Sequence, residues 1–432
     1  MQKIKQSISL TVSANQNWVP LLQCAAQTAA QVFGLDDKKS LRLTMGVEEV
    51  TLYLSQEQPG AAVSIFLEQC ISRVQARFVL TADSTDLSAM NVVAGNDSDA
   101  AADNNLSLLL ASRMSDGLSV IREGKDIHLI LLQEHVYPSI EPVYSDSPDK
   151  DYSPALTVKT TRDANLISNA CAQALGIFPL EQVPAWFSTP GKGVDLIMAE
   201  ELYAATAMDE KGRVCGLICW EHVSEKSVMF SGPWVFRGGE QCTSILLEHL
   251  IVSLARSRAV CLFSDLRVNP FVELENHGFE QLSEIASSSE THKRKVWFRH
   301  LCEDEGLCIW SHPQCTSFLQ QSYDRLYIAR TIQKTVDSGC HTYDRSLFSA
   351  ELNPEKKEAI LTPLLDGQDN EENIQRHINA LTADGYSRIV FRIDLAHGWQ
   401  AHLGGTLLKQ GFSPVMVLPH AGMGDILVFE YV

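Results

Sequence analysis

The amino-acid sequence predicts an α/β (α+β) protein with three folded modules. The chain has 432 residues, of which 45% are apolar and 20% are charged, as in ordinary globular proteins. Domains of about 100 to 200 residues would divide such a chain into two to four units. Stretches with the two-residue repeat of a strand alternate with stretches that have the repeat of a helix. We therefore expect each module to mix strands with helices around a core of its own.

The first module is predicted at residues 1–135. Its patterns follow in the order strand, helix, helix, strand, strand, helix, and a hairpin closes the unit. The predicted elements are a strand at Ile4–Val12, helices around Leu21–Phe33 and Leu41–Leu54, strands at 61–70 and 73–83, a helix at Leu106–Ser115 and a hairpin turn at Arg122–Lys125. Residues 136–153 hold three prolines and several acidic residues, and they are predicted to be a linker.

The second module is predicted at residues 154–300 and the third at 356–432, with an irregular connection at 301–355. The second module is predicted to contain strands at Leu156–Thr160, Asp195–Ala207, Val214–Val223, Val228–Val235 and Val260–Leu266, a helix that begins near Thr161–Asp163, and a helix at Thr243–Ser257. The third is predicted to contain a first helix, a strand at Arg388–Ile393, a helix at Trp399–Gln410 and two closing strands.

Charge and cysteine content narrow the possible partners and the compartment. A net charge of −18 repels the phosphates of nucleic acids and anionic membrane surfaces, so we expect neither as a partner. No apolar stretch approaches the ~18 residues that span a bilayer, and the first residues do not resemble a signal peptide. The eleven cysteines lie mostly in apolar segments, as reduced buried thiols do, which predicts a cytoplasmic protein.

The first module resembles the ATPase domain of anti-sigma-factor serine kinases, in the GHKL superfamily. The resemblance rests on the element order and on Glu48 and Glu49 in the second helix. It implies an α/β sandwich in which Glu49 and Asp83 contact a nucleotide. The family places an asparagine that holds Mg²⁺ four residues after the second glutamate, where this chain has Tyr53. A phenol is a poor ligand for that hard cation.

Two further motifs depart from the same family. The glycine that follows the adenine-binding aspartate is Thr85 here, and the Gly-x-Gly that opens a helix is replaced by Asn105 and Ser107. Side chains at these two positions crowd the approach of backbone to phosphate. We therefore expect ATP hydrolysis and Mg-ATP binding to be impaired, and we expect the module to bind a protein partner.

The second module resembles GNAT acyltransferases. The resemblance rests on the hairpin sequence MDEKGRVCGLICWEH, the strand–loop–helix SVMFSGPWVFRGGEQCTSILLEHL and the segment VCLFSDLRVNPFVELENHGFEQL. It implies a mixed sheet with flanking helices that binds acyl-CoA, such as acetyl-CoA, through backbone N–H groups at a helix N-terminus. The candidate acyl-CoA contacts are Gly238, Gly239, Gln241, Thr243 and Asn269.

Acyl transfer in this fold needs a base that accepts the proton of the amine. Glu221 and His222 are the candidates, and they stand at the end of the strand that precedes the strand leading into the glycine loop. A polar pair at a strand end can also simply face water. Many of these enzymes have, directly after the position of Asn269 and Pro270, a tyrosine that acts as the general acid for the thiolate. This chain has Phe271 there.

The end of the chain resembles part of a second GNAT domain. The sequence GGTLLKQGFSPVMVLPHAGMGDILVFEYV resembles the last strand, helix and Gly-Phe turn of that fold. Bacterial proteins that fuse a GHKL module with a GNAT module resemble the whole chain almost end to end. No metal is expected, because the cysteines and histidines lack the tight Cys-x-x-Cys spacing of structural zinc sites; those weighed are His300, Cys302, Cys308, His312 and Cys315.

Three functions follow from these resemblances. The first is a bacterial regulatory protein whose first module binds a protein partner and whose second module binds acyl-CoA. The second is an acetyl-CoA-dependent N-acetyltransferase. The third is an ATP-binding anti-sigma serine kinase, which the departures at Tyr53, Thr85, Asn105 and Ser107 disfavour.

Overall fold

In a computed structural model, the chain is a mixed α/β protein with several β-sheets. The described part contains sheets of five, seven and five strands, together with a pair of parallel strands. The structure describes residues 6–81, 91, 102–144, 155–268, 270, 272–286, 293–336, 343–353 and 356–431.

The first module has the predicted order of strands and helices. Its elements are β1 (Gln6–Ser13), α1 (Val19–Val32), α2 (Asp37–Glu57), β2 (Ala62–Gln69), β3 (Arg73–Thr81), α3 (Ala102–Met114), β4 (Gly117–Glu123) and β5 (Asp126–Glu134). The strands pair antiparallel in the order β1-β2-β3-β5-β4. Helix α2 begins after Asp36, whose carboxylate accepts a hydrogen bond from the backbone N–H of Lys39 at 2.7 Å.

The second module is a seven-stranded sheet with flanking helices. Its elements are β6 (Leu156–Thr160), α4 (Ala164–Ile177), α5 (Pro190–Met198), β7 (Tyr203–Asp209), β8 (Val214–His222), β9 (Ser227–Val235), α6 (Gly239–Leu254), β10 (Cys261–Ser264), β11 (Glu280–Ala286) and β12 (Lys293–His300). The strand order is β11-β12-β10-β9-β8-β7-β6. Strands β9 and β10 run parallel, and α6 is the crossover that this pairing requires.

The third module begins earlier than the sequence indicated. Its elements are β13 (Leu307–Ser311), α7 (Thr316–Arg325), β14 (Arg330–Lys334), β15 (Leu347–Asn353), β16 (Glu358–Leu365), α8 (Asn370–Ala383), β17 (Arg388–Asp394), α9 (Gly398–Lys409), β18 (Phe412–Leu418) and β19 (Ile426–Tyr431). The prediction that residues 301–355 are irregular was wrong, because three strands and a helix lie within that range. Strands β13 and β14 form the parallel pair.

The third sheet repeats the strand order of the second sheet. Its order β15-β16-β17-β19-β18 matches β8-β9-β10-β12-β11, and each set has one parallel pair followed by two antiparallel pairs. In both modules a helix connects the parallel strands. A glycine with positive φ precedes the penultimate strand each time, Gly278 at 74° and Gly411 at 92°. Each is followed by a buried phenylalanine.

Two predicted elements of the second module have different bounds. The predicted strand Asp195–Ala207 was wrong in its first part, because residues up to Met198 belong to α5 and the strand starts at Tyr203. The predicted helix Thr243–Ser257 starts four residues earlier, at Gly239, because Gly238 has φ +85° and turns the chain directly from the loop into the helix.

The second and third modules share one hydrophobic cluster. Phe263 and Phe298 from the second sheet belong to the same cluster as Ile309, Phe391 and Phe429 from the third module. All five side chains are almost completely buried. The two sheets therefore exclude water from a common core, and neither covers all its own apolar surface.

The first module is also attached to the third. Leu347 and Leu365 of the third module belong to the hydrophobic cluster of the first module. Asn91 is buried in this contact; its amide donates to the carbonyl of Ser346 and its oxygen accepts from the backbone N–H of Phe348, both at 3.0 Å. The polar contact fixes where the two modules meet.

The described part of the predicted linker is hydrogen-bonded to the second module. The backbone N–H groups of Ile140 and Val143 donate to the carbonyls of Ser188 and Ala172, each at 2.9 Å. Residues 145–154 lie outside the described ranges.

Cysteines in the described ranges are free thiols, and most of them are buried. Burial raises the pKa of Cys70 to about 11 and that of Cys261 to about 12, so both stay protonated at neutral pH. Among the helices that the structure describes, none is long and apolar enough to cross a membrane.

Candidate functional site

The candidate site is a cavity beside the parallel strands of the second module. Its volume is about 580 Å³, within the usual range for small-molecule sites. Pairing of β9 with β10 ends at Phe230 and Ser264, after which the backbone N–H of Asp265 still donates to the carbonyl of Phe230 at 2.7 Å. Beyond that point β9 continues to Val235, whereas the segment that follows β10 leaves the sheet. Ligands bind to open α/β sheets beside the carboxyl ends of parallel strands.

Glu221 lines this cavity from the end of β8. It pairs across the sheet with Met229, which also lines the cavity, because residues opposite each other on antiparallel strands share a face. The Oε1 atom of Glu221 accepts a hydrogen bond from the guanidinium of Arg267. Its Oε2 atom makes no hydrogen bond to the residues that the structure describes. Burial raises the pKa of Glu221 and Asp265 adds to the rise, while Arg267 opposes it.

A buried aspartate fixes the orientation of Arg267. Asp265 accepts a hydrogen bond from the Ser231 hydroxyl at 2.7 Å and from the backbone N–H and Nε of Arg267 at 2.7 and 3.2 Å. The same side chain is 3% exposed. Asp265 and Glu221 together raise the pKa of Arg267, so its guanidinium stays charged and holds the Glu221 carboxylate in place.

His222 does not contribute to the cavity. As the next residue on β8 it faces the opposite side of the sheet, and its exposed ring lies edge-on to Tyr203 with centroids 5.9 Å apart. Burial lowers its pKa. Of the two candidate bases, Glu221 alone is among the residues that line the cavity.

Sequence reasoning missed Ser231, Asp265, Arg267 and Lys356, which line the cavity with Glu221. Asp265 and Arg267 directly follow the short strand β10, and polar residues after a parallel strand are a recognisable signal of a site. Lys356 comes from the third module, 135 positions after Glu221 in the sequence. Nothing in the local sequence indicates that it reaches this cavity.

The N-terminus of α6 has the features of an anion site in its backbone. Gly238 caps the helix with φ +85°, and Gly239 begins it with φ +48°. A Cβ at Gly239 would meet no atom within 4 Å, so the space beside the helix at this residue is open. The first N–H groups of a helix have no partner within the helix and face outward along its axis.

Side chains around this helix start are mostly directed elsewhere. The Thr243 hydroxyl donates back to the Gly239 carbonyl at 3.4 Å and is buried within the helix, whereas Gln241 is exposed. The Glu240 carboxylate lies 2.8 Å from Nε2 of His277. The backbone at Gly238 and Gly239 is thus the feature that an acyl-CoA pyrophosphate could use. Asn269, the pantetheine candidate, and Phe271 lie outside the described residues.

The nucleotide candidates of the first module are only partly among the residues that the structure describes. Glu49 is half-buried on α2 beside Glu48, which accepts a hydrogen bond from Gln23 at 2.7 Å. Tyr53, at the metal-binding position of the GHKL family, is completely buried. Asp83 lies outside the described residues.

The phosphate-loop positions of the first module lie inside a helix. Helix α3 starts at Ala102, so Asn105 and Ser107 are its fourth and sixth residues. The backbone N–H of Ser107 lies beyond the first four N–H groups of the helix, so it is not presented in the way that a Gly-x-Gly before a helix would present it.

The cysteine and histidine residues weighed as metal ligands are dispersed. The His300 ring lies 2.8 Å from the carbonyl of Leu326, and His312 contacts the ring of His402 with centroids 5.6 Å apart. Cys315 is buried, whereas Cys302 and Cys308 are exposed. In the described ranges, no three histidine, cysteine or acidic side chains are placed to share a metal ion.

Solved GNAT acetyltransferases align with about a third of the chain. No family model and no curated protein matches the chain. A solved GNAT acetyltransferase from Staphylococcus aureus Mu50 is 12% identical, with 34% of this chain and 100% of that chain covered and a TM-score of 0.25. For aminoglycoside 6'-acetyltransferase type Ii the values are 12%, 34%, 99% and 0.28. A phosphinothricin acetyltransferase from Sinorhizobium meliloti, solved in complex with AcCoA, is 16% identical, with 35% and 90% covered and a TM-score of 0.27.

Proposed function

We propose that the second module binds acyl-CoA and transfers its acyl group to an amine, with Glu221 as the general base. One observation carries the proposal: a half-buried carboxylate with a raised pKa and one uncommitted oxygen lines the cavity beside the diverging strands β9 and β10. A base works best when its pKa lies near the operating pH, and burial moves the pKa of Glu221 in that direction.

The start of α6 fits the pyrophosphate of the cofactor. The backbone N–H groups at Gly238 and Gly239 would hold it, because they sit at a helix N-terminus and the space beside Gly239 is open. The acid at Glu240 opposes an anion at this position, and its contact with His277 reduces that opposition when the imidazole is charged. When bound, acyl-CoA supplies a thioester carbonyl carbon that an amine can attack.

The chemical step needs the proton of the amine to leave as the new bond forms. The amine nitrogen attacks the carbonyl carbon, a C–N bond forms and the C–S bond breaks. Oε2 of Glu221 accepts the proton from nitrogen, and solvent returns a proton to the departing sulfur. Arg267 holds Oε1 during this step, and Asp265 holds Arg267. The chain therefore positions its base through two successive ion pairs.

A calorimetric titration with acetyl-CoA, run beside one with Mg-ATP, tests the proposal. We expect acetyl-CoA to bind and to raise the melting temperature, because a ligand at ~100 times its dissociation constant adds about 2.7 kcal/mol to the native state. Acetylation of a panel of amines, followed by release of free CoA thiol, then tests transfer. Absence of acetyl-CoA binding at millimolar concentration would remove both parts of the proposal.

A second role, regulatory and independent of ATP, concerns the first module. We infer that it is a GHKL-like module that binds a protein partner. Complete burial of Tyr53 and the helical position of Ser107 disfavour a working Mg-ATP site. Trp18, Leu21 and Leu41 are 42%, 47% and 57% exposed on or beside α1 and α2, and we place the contact with the partner at these apolar side chains.

Matched affinity purifications test this regulatory role. We expect proteins retained by the unmodified chain to be lost from Leu41→Ser and to remain with Val252→Ser, a variant at an exposed position of α6. Equal retention by both variants would remove this face of the first module from the role. Mg-ATP binding that depends on Glu49 would instead favour the function of an ATP-binding anti-sigma serine kinase.

A further inference from the structure

We propose that the acyl acceptor is an apolar α-amino acid, whose carboxylate pairs with Lys356 while its amine faces Glu221. This inference rests on the proposed function and assigns the substrate class of the same cavity. It uses Lys356, which the third module contributes to a cavity formed mainly by the second.

Lys356 lines the cavity without a carboxylate partner. Its Nζ donates to the backbone carbonyl of Arg267 at 2.6 Å. A lysine ammonium has three donors, so this bond leaves two of them. In the described part of the chain, no aspartate or glutamate lies within ion-pair distance of Nζ. Burial, followed by repulsion from Arg294, lowers the pKa of Lys356, which indicates that its charge lacks full compensation.

The other cations of the cavity are already paired. Lys192 contacts both oxygens of Glu134, at 2.6 and 2.7 Å. Arg267 is shared between Asp265 and Glu221. An incoming carboxylate can therefore pair with Lys356, and this pairing reduces the free-energy cost of burying the Lys356 ammonium.

The acidic side of the cavity favours an amine at Glu221. Asp265 is saturated by Ser231 and Arg267, whereas Glu201 is held through Oε2 by Arg73 at 3.2 Å and, like Glu221, keeps one oxygen. Of the two glutamates, Glu221 is the one that faces Met229 beside the point where β9 and β10 diverge. Glu221 retains Oε2 for the acceptor. A ligand with one amine and one carboxylate therefore satisfies both open positions, whereas a simple amine leaves the Lys356 ammonium unpaired in a half-buried place.

Much of the remaining wall is apolar. Trp186 stands against Gly193, where an added Cβ would lie 2.2 Å from the indole, and it packs edge-on against Phe187 with centroids 4.6 Å apart. Other apolar side chains that line the cavity are Leu175, Leu180, Val183, Leu202 and Met229. A wall of this kind accommodates an aromatic or aliphatic side chain.

Three matched pairs of acceptors test the inference. Each pair keeps the amine and the side chain and differs in the carboxylate: L-phenylalanine against phenethylamine, L-leucine against isoamylamine, and L-methionine against 3-(methylthio)propylamine. We expect kcat/KM with acetyl-CoA to favour the amino acid by about 10- to 100-fold in at least one pair. In Lys356→Met this ratio should fall towards one, and in Lys356→Arg part of it should return. Lys192→Met, which removes a paired cation of the same cavity, should keep the ratio.

Measurement of amino-acid binding in the absence of acetyl-CoA tests this inference independently of the proposed function. Calorimetry with the amino acids alone reports the Lys356 contact without any transfer. Binding that Lys356→Met weakens at least 10-fold, in a protein that does not bind acetyl-CoA, would uphold the acceptor class and reject the transferase. Acetyl transfer with equal kcat/KM for amino acids and simple amines, or a ratio unchanged in Lys356→Met, would overturn the inference and leave the transferase intact.

Discussion

Arg330 and Asp425 form an ion pair in which neither side chain is exposed to solvent. The Nε–Oδ2 distance is 2.7 Å, and both side chains are 0% exposed. Arg330 also contacts Asp304 at 2.8 Å, and the Tyr323 hydroxyl donates to Asp425 at 2.8 Å. The network joins β14 to the turn before β19 and so fixes the edge of the third module.

Removal of one partner of this pair should destabilise the protein strongly. We expect Asp425→Asn to lower the free energy of unfolding by about 3–5 kcal/mol, because a buried arginine then lacks its counter-charge. Glu225→Gln, which breaks the exposed pair with Arg258, should change it by less than about 1 kcal/mol. Urea unfolding measures both values, and an equal effect of the two substitutions would contradict the prediction.

Substitution of Glu221 should remove the general base of the reaction and leave the binding of acetyl-CoA intact. We expect Glu221→Gln to lower kcat/KM by about 10²- to 10⁴-fold. The dissociation constant of acetyl-CoA should change by less than about twofold, because Glu221 lies in the acceptor cavity. His222→Gln, on the other face of β8, should retain the activity of the unmodified protein. A Glu221→Gln enzyme with normal turnover would remove Glu221 from the role.

The pH dependence of transfer should report the same carboxylate. The base must be deprotonated, so activity should fall as the pH drops through the pKa of Glu221, which burial holds above its ordinary value of 4.5. This acidic limb of the kcat/KM profile should therefore lie above pH 4.5, and it should be absent from the residual activity of Glu221→Gln. A limb at or below 4.5 would show that the carboxylate is not perturbed in the working enzyme.

Alanine substitutions at two glycines with positive φ can distinguish the effect of backbone strain from an effect on acetyl-CoA binding. Gly238 at the start of α6 has φ +85°, and Gly212 in the β7–β8 turn has φ +76°. An alanine at either position costs about 1–2 kcal/mol in the left-handed region. We expect Gly238→Ala alone to weaken acetyl-CoA binding, by about 10-fold, because it shifts the N–H groups that would hold the pyrophosphate. Equal dissociation constants for the two variants, measured by calorimetry, would move the site away from α6.

His377 should make stability depend on pH. Burial lowers its pKa from 6.5 to about 4, and its ring has Nδ1 2.9 Å from the Asn373 carbonyl. The unfolded chain takes up this proton near pH 6.5, whereas the native state takes it up near pH 4. The native state is therefore favoured fully above pH 6.5. As the pH falls from 6.5 to 4, protonation of His377 in the unfolded chain lowers the free energy of unfolding by about 3 kcal/mol. Urea unfolding at pH 7 and pH 4.5 should show a smaller difference in His377→Phe than in the unmodified chain.

The sequence predicts elements well where an apolar repeat is long and poorly where it is short. The first module shows the predicted order because α2 runs for 21 residues with a regular buried face. Strands Leu307–Ser311 and Arg330–Lys334 have five residues each, too few for a repeat to be distinguished from a loop. The segment Asp195–Met198 fits a strand pattern, but it completes the short helix that begins at Pro190.

The candidate site was predictable only in the residues that one strand carries. Glu221 stood out because it lies at the end of the strand that precedes the strand leading into the glycine loop. Its partners Arg267 and Lys356 are brought beside it by the parallel pairing of β9 with β10 and by the contact between the second and third modules. Such contacts depend on the packing of whole sheets, which no local pattern encodes.

The common core of the second and third modules has a consequence for how this chain can change. Phe263 and Phe298 share their cluster with Phe391 and Phe429, so separation of the chain near residue 300 would leave a broad apolar surface on each fragment. Either fragment alone should aggregate, and exchange of one module for a homologue should fail unless the facing residues are exchanged with it. The two sheets are separate by topology, but they should melt as one cooperative unit and must evolve as one.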